Sequence, residues 1–160
     1  MPQIGALIIE AQGDREVVFI RPFKAARTKV WDALTTPALV RKWLGAMEGW
    51  TFPVCEIDLR VGGKYRYVWK HSSGTEMGMG GTFTEIVAPE KLAATERFDE
   101  AWYPGDAAVS QVLTEKGGIT TLRQTVRYTT TEARDGVLAG PAAGGVAISF
   151  DALEKLVGAQ

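Results

Sequence analysis

The fold class is decided by one alternating stretch, Lys64-Tyr65-Arg66-Tyr67-Val68-Trp69-Lys70. Successive side chains of a β-strand point to opposite faces, so Tyr65, Tyr67 and Trp69 share one face while the basic side chains share the other. A second stretch, residues 121–128, alternates in the same way and places Gln124 on its apolar face. The two patterns predict a β-sheet with one aromatic, apolar face and one solvated face.

Further strand-like segments flank this stretch between residues 52 and 130, with turn residues between them. Strands at such short spacing, with no helix between them, favour an antiparallel sheet over β-α-β units. Upstream, residues 4–21 are predicted as strand, with Gly13-Asp14 as a turn before the β-branched run at residues 16–21 and Pro22 as the end of that run. Two short helices then follow, divided at Thr36-Pro37, where threonine is predicted as the N-cap of the second helix, and ended by Gly45.

The C-terminal segment returns to helical periodicity after a short helical turn predicted at residues 131–134. Val146, Phe150, Leu153 and Val157 fall on one stripe of a long helix that has only the sheet left to pack on. The predicted fold is therefore α+β, with a curved antiparallel sheet of six to seven strands wrapped round a long C-terminal helix. The two short helices follow the first strand.

Composition and charge limit the classes of function. The 160 residues are 46% hydrophobic and 23% charged, which is typical of one globular domain spanning residues 1–160 and excludes disorder as the main state. The 18 basic and 19 acidic residues leave a net charge of -1, which argues against nucleic acid as a partner. The start of the chain does not resemble a signal peptide and no apolar run is long enough for a membrane span. We therefore expect a cytoplasmic protein with no membrane contact.

Cys55 and His71 are the only cysteine and histidine in the sequence. One cysteine cannot form an internal disulfide, and one histidine excludes a metal site built on several imidazoles. A catalytic pair would need both side chains within hydrogen-bond reach, but Cys55 fits a buried strand position and His71 a solvated hairpin. Glu56 and Asp58 share a strand face near a sheet edge, where paired acids are usually solvated. We therefore predict no catalytic residue, no metal and no cofactor.

Five segments resemble, in order, the activator of heat-shock-protein-ninety ATPase homologue-like branch of the START and birch-pollen-allergen (SRPBCC) superfamily. They are residues 23–37, 41–45 (Arg-Lys-Trp-Leu-Gly), 58–65 (Asp-Leu-Arg-Val-Gly-Gly-Lys-Tyr), 81–92 and 144–153. The resemblance implies a helix-grip fold, in which the sheet curls round the C-terminal helix and leaves a hydrophobic cavity. It also implies that Trp43 lies near the mouth of that cavity.

Two positions depart from the family pattern. Gly145-Val146 stands where the family usually has Gly-Trp, and Ala142-Ala143 stands where it usually has acids. Valine in place of tryptophan should enlarge the space beside the helix. Gly78, Gly80 and Gly81 lie inside a strand rather than before a helix, so we interpret them as points of sheet curvature and not as a phosphate-binding loop.

These features favour a binding protein for a hydrophobic or aromatic small molecule. The residues predicted to line its site are Trp43, Tyr65, Tyr67, Trp69, Phe83, Trp102, Gln124 and Phe150. The same aromatic side chains could instead fill a closed core. Two other functions stay open: a chaperone-associated interaction domain of the stress response, which the resemblance implies, and a cavity enzyme of the cyclase or hydrolase kind, for which the sequence supplies no catalytic pair.

Overall fold

The computed structural model of the chain describes residues 7–45, 47–100, 105–140 and 142–158. Within them, eight strands form one antiparallel sheet and four helices pack around it. The strands are β1 (Ile8–Gln12), β2 (Glu16–Phe23), β3 (Trp50–Ile57), β4 (Lys64–His71), β5 (Glu76–Val87), β6 (Lys91–Phe98), β7 (Ala107–Lys116) and β8 (Ile119–Arg127). The helices are α1 (Arg27–Thr35), α2 (Pro37–Leu44), α3 (Thr131–Ala139) and α4 (Ala142–Gly158). The predicted α+β helix-grip class is confirmed.

The order of strands across the sheet is β1-β2-β8-β7-β6-β5-β4-β3, so β1 and β3 are its two edges. The N-terminal hairpin therefore pairs with the last strand of the chain. The helices α1 and α2 connect β2 to β3, and α4 packs against α1, α2 and β2. This arrangement leaves the inner face of the sheet under the helices and the outer face toward solvent.

The turn predicted at Gly13-Asp14 divides the N-terminal segment into two strands, β1 and β2, and the sheet therefore has eight strands rather than the predicted six to seven. Gly13, with a φ of 57°, closes a hairpin in which Ile8 pairs with Ile20. Pro22, however, does not end β2. It lies beyond the last residue of β2 with which β1 pairs, and there one side of the strand has no ladder to maintain. Residues 4–6 lie outside the described residues.

The break between the two short helices lies where the sequence predicts it. Thr36 has an extended backbone between α1 and α2, Pro37 is the first residue of α2, and Gly45 follows its end. The side chain of Thr36 makes no capping hydrogen bond, in contrast to its predicted role. The N–H of Leu39, which a capping side chain could bind, donates instead to the Thr36 carbonyl at 2.9 Å, and Pro37 has no N–H to satisfy.

The third helix is longer than the helical turn predicted at residues 131–134. The Thr130 hydroxyl accepts a hydrogen bond of 3.1 Å from the N–H of Ala133 and so caps the helix. From there α3 continues to Ala139 and ends at Gly140.

The C-terminal helix buries the stripe that its periodicity predicts. Phe150, Leu153 and Val157 are buried, and Val146 is half-buried. The ring of Phe150 packs edge-on against the ring of Phe23 in β2, with the centroids 6.0 Å apart. Because these side chains cover the inner face of β2, α4 is an integral wall of the core rather than a tail.

Candidate functional site

A cavity of about 410 Å³ lies between the inner face of the sheet and the helices. Its apolar and aromatic lining is Phe19, Leu34, Trp43, Leu44, Met47, Tyr65, Tyr67, Trp69, Met77, Met79, Phe83, Leu92, Ala94, Phe98, Val109, Val126, Tyr128, Val137, Val146 and Phe150. Its polar lining is Glu96, Gln111, Gln124 and Ser149. An apolar wall with a few inward polar groups is the usual composition of a small-molecule site.

Seven of the eight residues singled out from the sequence border this one cavity: Trp43, Tyr65, Tyr67, Trp69, Phe83, Gln124 and Phe150. The eighth, Trp102, lies outside the described residues. The alternation of β4 and β8 is what brings most of the seven to the inner face. Their role in binding a ligand stays a prediction.

The aromatic side chains of β4 form a continuous row along the cavity wall. The ring centroids of Tyr65 and Tyr67 are 5.2 Å apart, and those of Tyr67 and Trp69 are 6.1 Å apart. Phe83 of β5 extends the row, with its ring 5.5 Å from Tyr65. Rings at these separations stabilise one another and hold the wall rigid.

Most polar groups of these aromatic residues are bonded to the backbone. The Tyr65 hydroxyl donates to the carbonyl of Thr95 at 2.7 Å, and the Trp69 indole N–H donates to the carbonyl of Leu44 at 3.0 Å. The Trp43 indole N–H likewise donates to a carbonyl of α1, at 2.7 Å. These three groups anchor the wall and are not available to bind a ligand.

Tyr67 differs from its neighbours in the row. Its hydroxyl has no hydrogen-bond partner among the described residues, and burial raises the pKa of Tyr67 above its usual range. The hydroxyl therefore stays neutral and can donate or accept a hydrogen bond within the cavity.

Gln124 has the partner that its polar amide requires on an apolar face. The side-chain N–H of Gln111 on β7 donates to the side-chain oxygen of Gln124 at 2.8 Å. The two residues pair directly in the ladder between β7 and β8, which brings their side chains together. The pair adds a neutral polar patch to the sheet wall, and a ligand oxygen or N–H could bind there.

Glu96 is a cavity-lining residue that our sequence reasoning missed. It lies on the inner face of β6, in alternation with Leu92, Ala94 and Phe98, and lines the cavity. Its carboxyl has no hydrogen-bond partner among the described residues, and burial raises the pKa of Glu96 to about 7. The signal was present in the sequence as a glutamate at an inward position of an alternating strand, but the alternation of residues 91–98 was not used.

Glycines allow the wall to close around the Tyr65 ring. Gly81 pairs with Tyr65 in the ladder between β4 and β5, and a Cβ at Gly81 would collide with the carbonyl oxygen of Thr95. Without that Cβ, the tyrosine ring crosses β5 and its hydroxyl reaches β6. A Cβ at Gly80 would likewise lie 2.7 Å from the carbonyl oxygen of Tyr65. The glycines thus permit close strand contact, in keeping with the predicted role in curvature.

The residues considered for catalysis are not brought together. Cys55 is buried and its thiol donates to the carbonyl of Pro37 at 3.7 Å, whereas His71 lies at the far end of β4, with its Nδ1 2.9 Å from the Ser73 hydroxyl. Cys55 pairs with Tyr67 in the ladder, four residues along β4 from His71. Burial raises the pKa of Cys55, which disfavours the thiolate. A nucleophilic pair of Cys55 and His71 therefore does not form.

A wider depression of about 710 Å³ lies on the outer face of the sheet. Its arginines are already paired: Arg66 donates two hydrogen bonds of 2.6 Å to Asp99, and Arg97 forms an ion pair of 2.6 Å with Asp106. Because this face is solvated, such pairs are screened and bind further charge weakly. The inner cavity is therefore the candidate site.

The described residues contain neither a metal-binding cluster nor a membrane-spanning helix. No group of three or more histidine, cysteine, aspartate or glutamate side chains among them could hold a metal ion. Of the helices that they form, none is both long and apolar enough to cross a membrane.

Comparison with known proteins identifies relatives over almost the full chain. Residues 24–158 match the family described as activator of Hsp90 ATPase homolog 1-like protein. A search of the curated proteins found no match.

Solved structures share the whole fold. A protein from Rhodobacter sphaeroides is 32% identical, with a TM-score of 0.87 over 95% of this chain and 98% of its own. Protein CV1439 from Chromobacterium violaceum is 28% identical, with a TM-score of 0.75 over 89% of this chain and 96% of its own. Protein Ms6760 from Mycobacterium smegmatis is 20% identical and shares the fold, with a TM-score of 0.83 over 97% of this chain and 99% of its own.

Proposed function

The chain belongs to the family of activator of Hsp90 ATPase homolog 1-like proteins, and on this premise we propose that it binds an apolar or aromatic small molecule in the cavity between its sheet and its C-terminal helix. One observation carries the proposal: seven side chains chosen from sequence patterns border a single cavity of about 410 Å³. That volume lies within the range of roughly 300–1,000 Å³ that is usual for small-molecule sites.

The wall supplies both the driving force and the orientation for a ligand. Aromatic and aliphatic side chains bury apolar ligand surface at roughly 25 cal/mol per Å². The Tyr67 hydroxyl and the pair of Gln111 and Gln124 offer the polar contacts that fix a ligand in one orientation. In a closed core, a tyrosine hydroxyl and a carboxyl would be expected to have hydrogen-bond partners, and among the described residues Tyr67 and Glu96 have none.

The test is a titration with N-phenyl-1-naphthylamine, a largely apolar probe whose emission rises in an apolar site. We expect saturable binding of one probe per chain, with a dissociation constant on the order of 1 μM, since small apolar ligands gain limited free energy per atom. Quenching of the intrinsic tryptophan emission should saturate at the same probe concentration, because Trp43 and Trp69 line the cavity. If the emission rose only linearly with probe concentration, these aromatic side chains would form a closed hydrophobic core rather than a binding site.

A role in activating a chaperone ATPase is the second function that membership of this family suggests. The observation in its favour is that two apolar side chains between β3 and β4, Leu59 and Val61, are 41% and 63% exposed. Adding the chain to purified Hsp90 and measuring ATP hydrolysis separates the two functions. An increased rate that Leu59→Ser and Val61→Ser remove, with probe binding intact, would favour the chaperone role.

A further inference from the structure

The cavity contains one carboxyl group in an otherwise neutral wall. Glu96 pairs in the ladder with Ala107 of β7, which is fully buried and has no side-chain donor to offer. On its own strand the inward neighbours are Ala94 and Phe98, which are equally unable to bond a carboxylate. A half-buried carboxylate that no described residue satisfies costs free energy, which protonation lowers and which a ligand that supplies the missing donor can offset.

Aromatic rings share the cavity wall with this carboxyl. The hydroxyl of Tyr65 bonds the carbonyl of Thr95, the residue directly before Glu96, so the aromatic row of β4 and β5 reaches the same part of the wall. The faces of aromatic rings carry partial negative charge and attract cations, most strongly where water is excluded. A carboxylate and aromatic rings in the wall of one cavity are a combination suited to an ammonium group.

We propose that the ligand is a lipophilic organic cation, an apolar or aromatic body that carries one ammonium group and forms an ion pair with Glu96. This inference rests on the proposed function and names the class of ligand for the same cavity. The apolar body would occupy the space lined by the helices and the aromatic row. The ammonium group would donate hydrogen bonds to the Glu96 carboxylate, and the Tyr67 hydroxyl could accept a further one.

Among the described residues, no second carboxyl and no basic side chain lines the cavity. Of the described residues that line the cavity, the titratable ones besides Glu96 are the phenols Tyr65, Tyr67 and Tyr128. The lining residues of β2, β5 and β7 and of the four helices carry no titratable group. Arg97, next to Glu96 in β6, is paired with Asp106 on the outer face. Among the described lining residues, the charge of the cavity is therefore set by Glu96.

Because burial raises the pKa of Glu96 to about 7, binding of a cation should be linked to loss of a proton. An ammonium group favours the charged carboxylate and lowers its pKa, so at pH 7 the complex releases a proton that a neutral ligand would leave in place. This linkage can be measured on the unmodified protein, without any variant.

The test compares 4-phenylbutylamine with 4-phenylbutan-1-ol, which share the apolar body and differ in charge, by isothermal titration calorimetry at pH 8. We expect the amine to bind about tenfold more tightly than the alcohol, since a charge-assisted bond in a desolvated site exceeds a neutral one. At pH 7, the enthalpy of amine binding should vary with the ionisation enthalpy of the buffer in the sense of proton release, and that of the alcohol should not.

A pair of variants assigns the effect to one carboxyl. Glu96→Gln keeps the shape of the side chain but removes its charge. The dissociation constants of the two ligands should then agree within about threefold. Glu76→Gln removes the same charge from an exposed position of β5 and should keep the tenfold preference.

The outcomes separate this inference from the proposed function. Equal affinities for amine and alcohol in the unmodified protein, or tighter binding of the alcohol, would overturn the cationic class and leave a ligand cavity in place. A tenfold preference that survives in Glu96→Gln would overturn the assignment to Glu96. Absence of saturable binding by either ligand and by N-phenyl-1-naphthylamine would overturn both proposals.

Discussion

At the scale of single residues, Arg21 joins β2 to the C-terminal helix through two carboxylates. Its guanidinium is 2% exposed and donates to Asp151 at 3.0 Å and to Glu154 at 3.1 Å, while the acids are 67% and 23% exposed. One of its N–H groups, Nε, has no partner among the described residues. The cation is thus buried while its partners are partly hydrated.

This asymmetry predicts that removing the two carboxylates lowers the free energy of unfolding more than removing the Arg21 charge does. Arg21→Met removes the buried charge and leaves two acids that water can reach, so we expect a loss of only about 1 kcal/mol in the free energy of unfolding. The double change Asp151→Asn and Glu154→Gln leaves Arg21 buried without a countercharge and should cost about 3–5 kcal/mol. Urea unfolding of both proteins checks the order, and the reverse order would contradict it.

The burial of Glu96 predicts that the stability of the fold depends on pH. Its pKa rises from 4.5 to about 7 on folding, so the folded chain binds the proton more tightly than the unfolded chain. Stability from this group is fully present below pH 4.5, falls as the pH rises toward 7, and is lost above it. At about 1.4 kcal/mol per pH unit, the total effect is at most about 3.5 kcal/mol.

Glu96→Gln should therefore raise the melting midpoint at pH 8 and leave it nearly unchanged at pH 4.5. Glu76→Gln, an exposed carboxylate, serves as the control and should show no such difference. Parallel midpoint-against-pH curves for the unmodified protein and Glu96→Gln would contradict the burial of this carboxyl.

Alternation accounts for most of what could be predicted at this scale. It places Tyr65, Tyr67 and Gln124 on the inner face, and their neighbours along β4 and β8 on the outer face. It would also have placed Glu96 there had it been applied to β6. The partners could not be predicted, because the bond between Gln111 and Gln124 depends on the register of β7 against β8, which no local pattern contains.

At the scale of elements, the volume of the cavity depends on the gap between α4 and the sheet. Val146 lies half-buried at the cavity wall near the start of α4. A tryptophan there would project into the cavity and fill part of it. Exposed Ile148, two residues further along the same helix, offers a matched position facing solvent.

Val146→Trp should therefore weaken binding of N-phenyl-1-naphthylamine at least tenfold, on the order of 1.4 kcal/mol. Its stability should stay within about 1 kcal/mol of the starting value, because burial of the indole offsets modest overpacking. Ile148→Trp adds the same side chain without entering the cavity and should leave the affinity unchanged. If Val146→Trp bound the probe with unchanged affinity, the proposal of a binding cavity would be contradicted.

Local signals predicted the elements well where periodicity or proline marks them. The break at Pro37 and the buried stripe of α4 follow from proline chemistry and from helical spacing. The turn at Gly13 was also predicted, but its closure into a hairpin and the extent of α3 were not. The first is marked by two turn residues in a segment rich in β-formers, and the second is extended by a cap on Thr130, so both depend on hydrogen bonds that sequence patterns indicate only weakly.

At the scale of the whole molecule, the strand order places the N-terminal and C-terminal parts of the sequence in direct contact. Because β2 pairs with β8, and α4 packs on β2 and α2, separation of any one layer breaks contacts from distant parts of the sequence. We therefore expect the described elements to unfold as one cooperative unit. Periodicity could not predict this closure, since it depends on pairing between residues 16–23 and 120–127.

Cys55 provides a probe of that cooperativity. Its thiol is buried beneath α2, and burial raises its pKa, so reaction with a thiol reagent such as Ellman's reagent requires opening of the structure. If opening is global, the free energy derived from the reaction rate should agree with that from urea unfolding within about 1 kcal/mol. A markedly smaller value would show that α2 opens independently of the sheet. Reductant and chelator should leave the melting midpoint unchanged, because the core of the described residues depends on apolar packing around β2, α2 and α4.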